Sequence, residues 1–151
     1  MKVLRDLDGI TYWVLEDPSE IAELVNINTR KEWESDIRVR GKDPSESNWL
    51  RSLDSRRWQL DMLSLDGIKL SQEIMSIKNE ETGYDFGKSL QERMVELKRE
   101  IEEFGTVIRP VVVRGEDMHL MDGYCRYATL RGMDIPRVYA YLGSLKNNSA
   151  V

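Results

Sequence analysis

Only one cysteine, Cys125, and one histidine, His119, occur in the 151 residues. A lone thiol excludes an intramolecular disulfide and any metal site built from several thiolates. The lone imidazole weakens metal chemistry further. Long hydrophobic runs are missing as well: no stretch approaches the ~20 apolar residues of a membrane helix, and Met1–Asp6 lacks the apolar core and small-residue cleavage site of a signal peptide. A cytoplasmic protein with no membrane partner is the expectation. Positive charge is also in short supply, with 22 Lys and Arg against 27 Asp and Glu and a formal net charge of -5. Sequence-independent affinity for nucleic acid comes from neutralising phosphates, so a surface acidic throughout would repel DNA. A local basic face is the one route around that.

What is present, 40% hydrophobic and 32% charged residues, belongs to a folded protein with a heavily solvated surface. A chain of this length buries one main core. Residues 1–57 read as an N-terminal extension of a strand and two short helices. Thr11–Leu15 is β-branched and aromatic and predicts the strand. Asp17-Pro18-Ser19-Glu20 is a helix start, with Asp to accept from free N–H groups, Pro suited to the first turn, and Glu three residues after Asp. That helix is expected to stop near Asn26. The same tetrapeptide at Asp43-Pro44-Ser45-Glu46 predicts the second helix. The charged stretch between them, residues 28–42, yields no assignment. Arg38, Arg40, Lys42, Arg51, Arg56 and Arg57, with Trp33 and Trp49 nearby, are candidates for a basic face suited to nucleic acid. Acidic residues are equally abundant there, and a solvated surface is the expectation.

From Trp58 the pattern becomes that of an α/β domain, residues 58–145, with 146–151 as a flexible tail. Trp58–Met62 alternates apolar and polar residues, and Leu63-Ser64-Leu65 continues in shifted phase. Residues 79–87 read as a loop. Leu90, Met94, Leu97, Ile101 and Phe104 share one helix face, and Gly105 stands where a left-handed C-terminal residue is wanted. Val107–Val113 is a buried-strand run. His119-Leu120-Met121 begins another strand, with His119 at an exposed position. Tyr124–Arg131 is a short helix, and Ile135–Leu142 a last strand with Pro136 near its start.

A strand ending in Asp122-Gly123 and turning at once into a helix gathers free N–H groups and the positive end of the helix dipole at one point. Such a point attracts phosphate. Gly123 removes the Cβ that would keep the backbone away from an anion. Arg126, a turn into the helix, offers a bidentate charged contact. Asp122, Gly123, Tyr124, Cys125 and Arg126 are therefore the candidate nucleotide- and phosphate-binding residues. Asp122 either orients Arg126, shapes the turn, or holds a magnesium ion arriving with the nucleotide. Cys125 is either a packed residue or a thiol made reactive by the helix terminus and Arg126.

The order of helix, Gly105, Ile108-Arg109-Pro110-Val111-Val112-Val113, turn, Leu120-Met121-Asp122-Gly123-Tyr124-Cys125-Arg126-Tyr127-Ala128, Gly132 and Ile135-Pro136-Arg137-Val138 resembles the ParB/sulfiredoxin superfamily. Leu65–Leu70 resembles the first strand of that domain, and the resemblance covers a little over half the chain. It implies a small mixed sheet with packed helices, joined here to a helical N-terminal extension. Partition ParB proteins carry Glu-Arg between the glycine and the arginine, where this chain has Tyr124-Cys125. Sulfiredoxins place their nucleophilic cysteine directly after the glycine, where Tyr124 stands, so Cys125 is out of register for that chemistry. The motif is most similar to archaeal free-serine kinases, which have two histidines there. In that branch a glutamate after the first strand is the base, and Glu73 stands at the corresponding place.

The resemblance implies a nucleoside tri- or diphosphate, with or without Mg²⁺, and NTP hydrolysis or phosphoryl transfer to a small-molecule acceptor. The alternative is a DNA-associated partition-type or nuclease protein of a plasmid or virus. Nucleic acid and a second copy of the chain remain open as partners.

Overall fold

The computed structural model describes residues 1–146. The chain opens with a hairpin that the sequence pattern did not reveal in full: β1 (Val3–Leu7) pairs antiparallel with β2 (Ile10–Val14), from Val3 opposite Val14 to Leu7 opposite Ile10. Asp8 and Gly9 join them with φ of 51° and 85°, the paired positive φ that a two-residue hairpin turn requires and that Asp-Gly tolerates.

Asp17 caps α1 (Pro18–Leu24) by accepting from the Ser19 N–H. The helix does not stop near Asn26. A single π turn, Val25–Thr29, carries it into α2 (Arg30–Val39). Asn26 is held inside the helix because its Nδ2 donates to the Ala22 carbonyl at 3.1 Å and its Oδ1 accepts from the Arg30 guanidinium at 2.8 and 3.0 Å. Both bonds span one turn, so a residue that often ends helices here braces one. Asp43-Pro44-Ser45-Glu46 forms a 3₁₀ turn, and α3 (Asn48–Ser52) follows under a Ser47 cap.

The main sheet has four strands, whose order across the sheet departs from their order in the chain. β3 (Arg56–Ser64) runs antiparallel to β8 (Arg137–Leu145) over nine residue pairs. β8 is parallel to β6 (Val111–Arg114), and β6 is antiparallel to β7 (His119–Asp122) with an irregularity between Val112 and Val113. The fold is thus mixed α/β. Leu65-Asp66-Gly67, expected to belong to a strand, is a 3₁₀ turn. Only Lys69 reaches the sheet, donating to the Met118 carbonyl and accepting from Leu120 N–H, both at 2.8 Å. After α4 (Gln72–Met75), residues 78–85 make a small hairpin of β4 (Lys78–Asn79) and β5 (Tyr84–Asp85). α5 (Phe86–Phe104) ends on Gly105 at φ 62°, and α6 (Tyr124–Gly132) connects β7 to β8.

Both sheet faces are covered, as strand alternation demands. Val111, Val113, Leu120, Val138 and Ala140 point to one side with Leu130 of α6 and with Leu7, Tyr12 and Val14 of the N-terminal hairpin. Val112, Met121, Tyr141 and Trp58 point to the other, under Ile21, Val25, Ile37, Trp49 and Leu53. Residues before Trp58 therefore supply part of both halves of the core. The Leu15 N–H donates to the Tyr141 hydroxyl at 2.9 Å, a further tie between the N-terminal residues and the sheet. Among the described residues no helix is long and apolar enough to cross a membrane. The flexible-tail expectation falls mostly on residues 147–151, outside the described part, while Lys146 is exposed.

Candidate functional site

β7 ends at Asp122, and the chain turns into α6 through Gly123 at φ 102°. Only glycine suits this corner: an added Cβ would lie 2.7 Å from Val111 Cγ1 and 3.0 Å from Arg126 Nη2. The first intrahelical bond runs from Tyr127 N–H to the Gly123 carbonyl at 2.8 Å, and no side chain caps the helix. The N–H groups of Tyr124, Cys125 and Arg126 are consequently left over as donors.

These residues line a cleft of about 620 Å³. Its walls bring together Lys31, Arg40, Arg93, Arg109 and Arg126 with Glu32, Asp36 and Asp122. Cations outnumber carboxylates there, against the balance of the whole chain. Trp33, Tyr84 and Phe86 add an aromatic side. α2 is fastened to the sheet by Trp33, whose indole N–H donates to the Met121 carbonyl at 2.7 Å. The hydroxyl of Thr29, in the π turn, donates to Asp122 Oδ2 at 3.3 Å.

Arg126 is 12% exposed and faces inward. Its Nη1 donates to the Arg109 and Pro110 carbonyls at 3.0 and 2.6 Å, and its Nη2 lies 3.6 Å from Asp122 Oδ1. Burial lowers its pKa, with Asp122 opposing and Arg109 reinforcing the shift. Two of its five N–H donors thus hold the start of α6 against the entry to β6. Asp122 lies in ion-pair reach of Arg126, the placement that an orienting role requires. The Tyr124 hydroxyl accepts from the Ser71 N–H at 3.0 Å, and its ring meets Phe86 edge-on at 5.7 Å. Cys125 is a half-buried free thiol on the cleft wall.

Glu73 sits on α4, and its carboxylate accepts from Arg40 Nη1 at 3.0 Å with its side chain 69% exposed. It borders a neighbouring groove that shares Arg40, Trp33 and Ile74 with the cleft. Glu73 itself does not line the cleft at the start of α6; its partner Arg40 does.

Sequence reasoning missed the contribution of α2. Glu32, Asp36 and Arg40 recur every four residues along one helix face, a legible signal once the stretch is known to be helical. The Glu32 carboxyl is pushed up to about 7, first by the protein crowding it, then by the charge of Asp122 and a hydrogen bond shared with it, while Arg109 and Arg126 pull the other way. Asp36 is raised as well, chiefly by burial and partly by Asp122, with Arg40 opposing.

The candidate basic face does not assemble as one surface. Arg56 is buried, donating to both Glu116 oxygens at 2.6 and 2.8 Å and to the Gly143 carbonyl at 2.9 Å, with its guanidinium 4.8 Å from the Trp49 ring centre. Trp49 is in the core. Arg38 pairs with Glu34 at 3.5 Å. His119, expected at an exposed position, is half-buried with Nδ1 3.0 Å from Asp117 Oδ2.

No protein-family model matches the chain, and no curated protein matches it. Among solved structures the chain is similar to two of pNOB8-like ParB N-domains. One is 14% identical with a TM-score of 0.43 over 62% of this chain and 32% of the other. The second is 15% identical with a TM-score of 0.41 over 60% of this chain and 29% of the other. The similar region thus spans about a third of the length of those chains.

Proposed function

We propose that this chain is a ParB-like nucleotide-binding protein whose cleft between α2 and α6 receives the phosphates of a nucleoside tri- or diphosphate. The observation that carries the reading is the uncapped start of α6, whose free N–H groups meet a cleft in which cations outnumber carboxylates. Backbone donors and the helix dipole favour an anion at that point. Gly123, Tyr124, Cys125 and Arg126 form the turn that receives it. Arg126 and Asp122 hold that turn in shape, and exposed Arg109 stands free to meet the anion directly.

NTP hydrolysis, or phosphoryl transfer to a small-molecule acceptor, is the chemistry this arrangement would serve, since such transfer depends on positioning and charge neutralisation more than on covalent help from the protein. Glu73 is the proposed base, brought to the edge of the cleft by Arg40. Among the described residues no group of three or more Asp, Glu, His or Cys side chains is arranged to hold a metal ion. A magnesium ion in this scheme arrives bound to the nucleotide's own phosphates. The partition-type or nuclease alternative draws no support from the dispersed basic residues.

Calorimetric titration with ATP, ADP, CTP and GTP tests the reading. Arg109→Ala should weaken the bound nucleotide by about 1.5–3 kcal/mol, the range for a hydrogen bond to a charged group. Affinity unchanged in that variant would remove the cleft as the phosphate site.

A further inference from the structure

We propose that the aromatic end of the cleft, between α2 and the β4–β5 hairpin, is a nucleobase pocket, so that the ligand is a whole nucleotide and not a bare or sugar phosphate. The inference rests on the phosphate reading above and assigns the far end of the same ligand. A second cavity of about 650 Å³ opens beside the phosphate-binding cleft, and the two share Asp36, Arg40, Ile77, Tyr84 and Phe86 as common walls. Each volume lies in the usual range for a small-molecule site.

The chemistry changes along this continuous space. At the α6 end it is backbone N–H groups and guanidinium. At the hairpin end Val39, Ile77, Tyr84 and Phe86 supply an apolar wall, with Asn79, Asp36, Arg40 and Lys78 as its polar lining. Val39 and Tyr84 are 70% and 44% exposed, an apolar pair left facing solvent across a groove. Tyr84 packs on no other aromatic ring among the described residues, which leaves a ring face for a flat ligand. Aromatic faces accept any base, because every base has a π surface. Hydrogen bonds at the rim would select among bases. Asn79 uses its Oδ1 to accept from Glu81 and Thr82 N–H at 3.0 and 3.3 Å, so its amide N–H₂ is the part left to meet a base edge, and the Asp36 carboxylate can accept from an exocyclic amino group. A charged end joined to an apolar aromatic end with a polar rim matches the polarity of a nucleotide from phosphate to base.

The test titrates the full chain with sodium tripolyphosphate and with ATP, GTP, CTP and UTP, in the natural sequence and in Tyr84→Ala. At least one nucleotide should bind tenfold or more tightly than tripolyphosphate, and Tyr84→Ala should erase that advantage while tripolyphosphate stays within twofold. Val39→Trp, at an exposed position on the opposite wall, fills the pocket without disturbing the core and should do the same. Tripolyphosphate and all four nucleotides binding alike, or an advantage indifferent to both substitutions, would overturn the base pocket and leave the phosphate site standing. Nucleotide binding that depends on Tyr84 with no tripolyphosphate binding would keep the base pocket and remove the phosphate reading. Binding of none of them would overturn both.

Discussion

At the scale of single residues, the cleft places a titrating carboxyl beside a proposed anion site. Glu32 borders the cleft together with Asp122, whose own oxygens already face Arg126 and Thr29. Its folded value of about 7 lies above the ordinary glutamate value of 4.5. The folded state therefore holds a proton that the unfolded chain has released between those two values. The stability this contributes is complete below the ordinary glutamate range and is lost as pH rises through about 7. Asp36 shifts in the same direction. Thermal unfolding of the natural protein should consequently show a midpoint that falls from about pH 5 to about pH 8. Glu32→Gln should flatten that fall and gain on the natural protein at the alkaline end. Identical pH profiles for the two proteins would show that the carboxyl is not held in this state. Arg56 illustrates the opposite arrangement, a buried charge that reaches an exposed partner, satisfied by Glu116 and a carbonyl and lying over Trp49. Such a group contributes little net energy as a pair, yet losing one member is costly.

At the scale of elements, the decisive junction is that of β7 with α6. Gly123 allows the strand to turn into the helix within one residue, beneath Val111 of the neighbouring strand. Gly123→Ala imposes a positive φ on a residue with a Cβ and pushes that Cβ into Val111, so it should cost roughly 2–4 kcal/mol. Chemical denaturation measures this directly, and a loss below about 0.5 kcal/mol would mean that the corner relaxes freely. α5 shows how periodicity can be right while burial is not. Its apolar face exists, yet Leu90 alone is fully buried, Leu97 and Ile101 are partly covered, and Phe104 is 69% exposed. Arg99 lies 5.9 Å from the Phe104 ring and pairs with Glu96 and Glu103 instead. The joined helix from α1 to α2 matters for another reason. Its π turn sets Thr29 against Asp122 and directs Glu32, Asp36 and Arg40 toward the cleft, the kind of irregularity that recurs at functional sites.

At the scale of the whole molecule, electrostatics distinguishes the proposed ligand from DNA. The net charge is -5, Arg56 is internal, and Arg38 and Arg40 are paired with carboxylates. Duplex DNA should bind no more tightly than about 10⁻⁵ M near physiological salt, the non-specific range. Anisotropy titration against duplex and single-stranded DNA checks this. Submicromolar binding with a steep salt dependence, abolished by Arg38→Ala, Arg40→Ala and Lys42→Ala together, would make the partition-type reading the better one. The α/β class, the principal helix ending on Gly105, the second half of the strand expected over Val107–Val113 and the Asp122-Gly123 corner were all legible in the chain. Each is governed by local rules: two-residue alternation, helical spacing, and the special backbone freedom of glycine. Local rules also predict an end to the helix at Asn26, and there tertiary packing prevails, because burying Val25, Thr29 and Ile37 against the sheet favours one continuous helix. Local pattern alone was enough to mark the strands and helices on either side of the Asp122-Gly123 corner. Packing of distant segments set the turn against α2, turned Arg126 toward two carbonyls while leaving the Arg109 side chain without a partner among the described residues, and brought Glu73 to Arg40. Those choices depend on contacts between residues up to about a hundred positions apart, which no short-range pattern encodes.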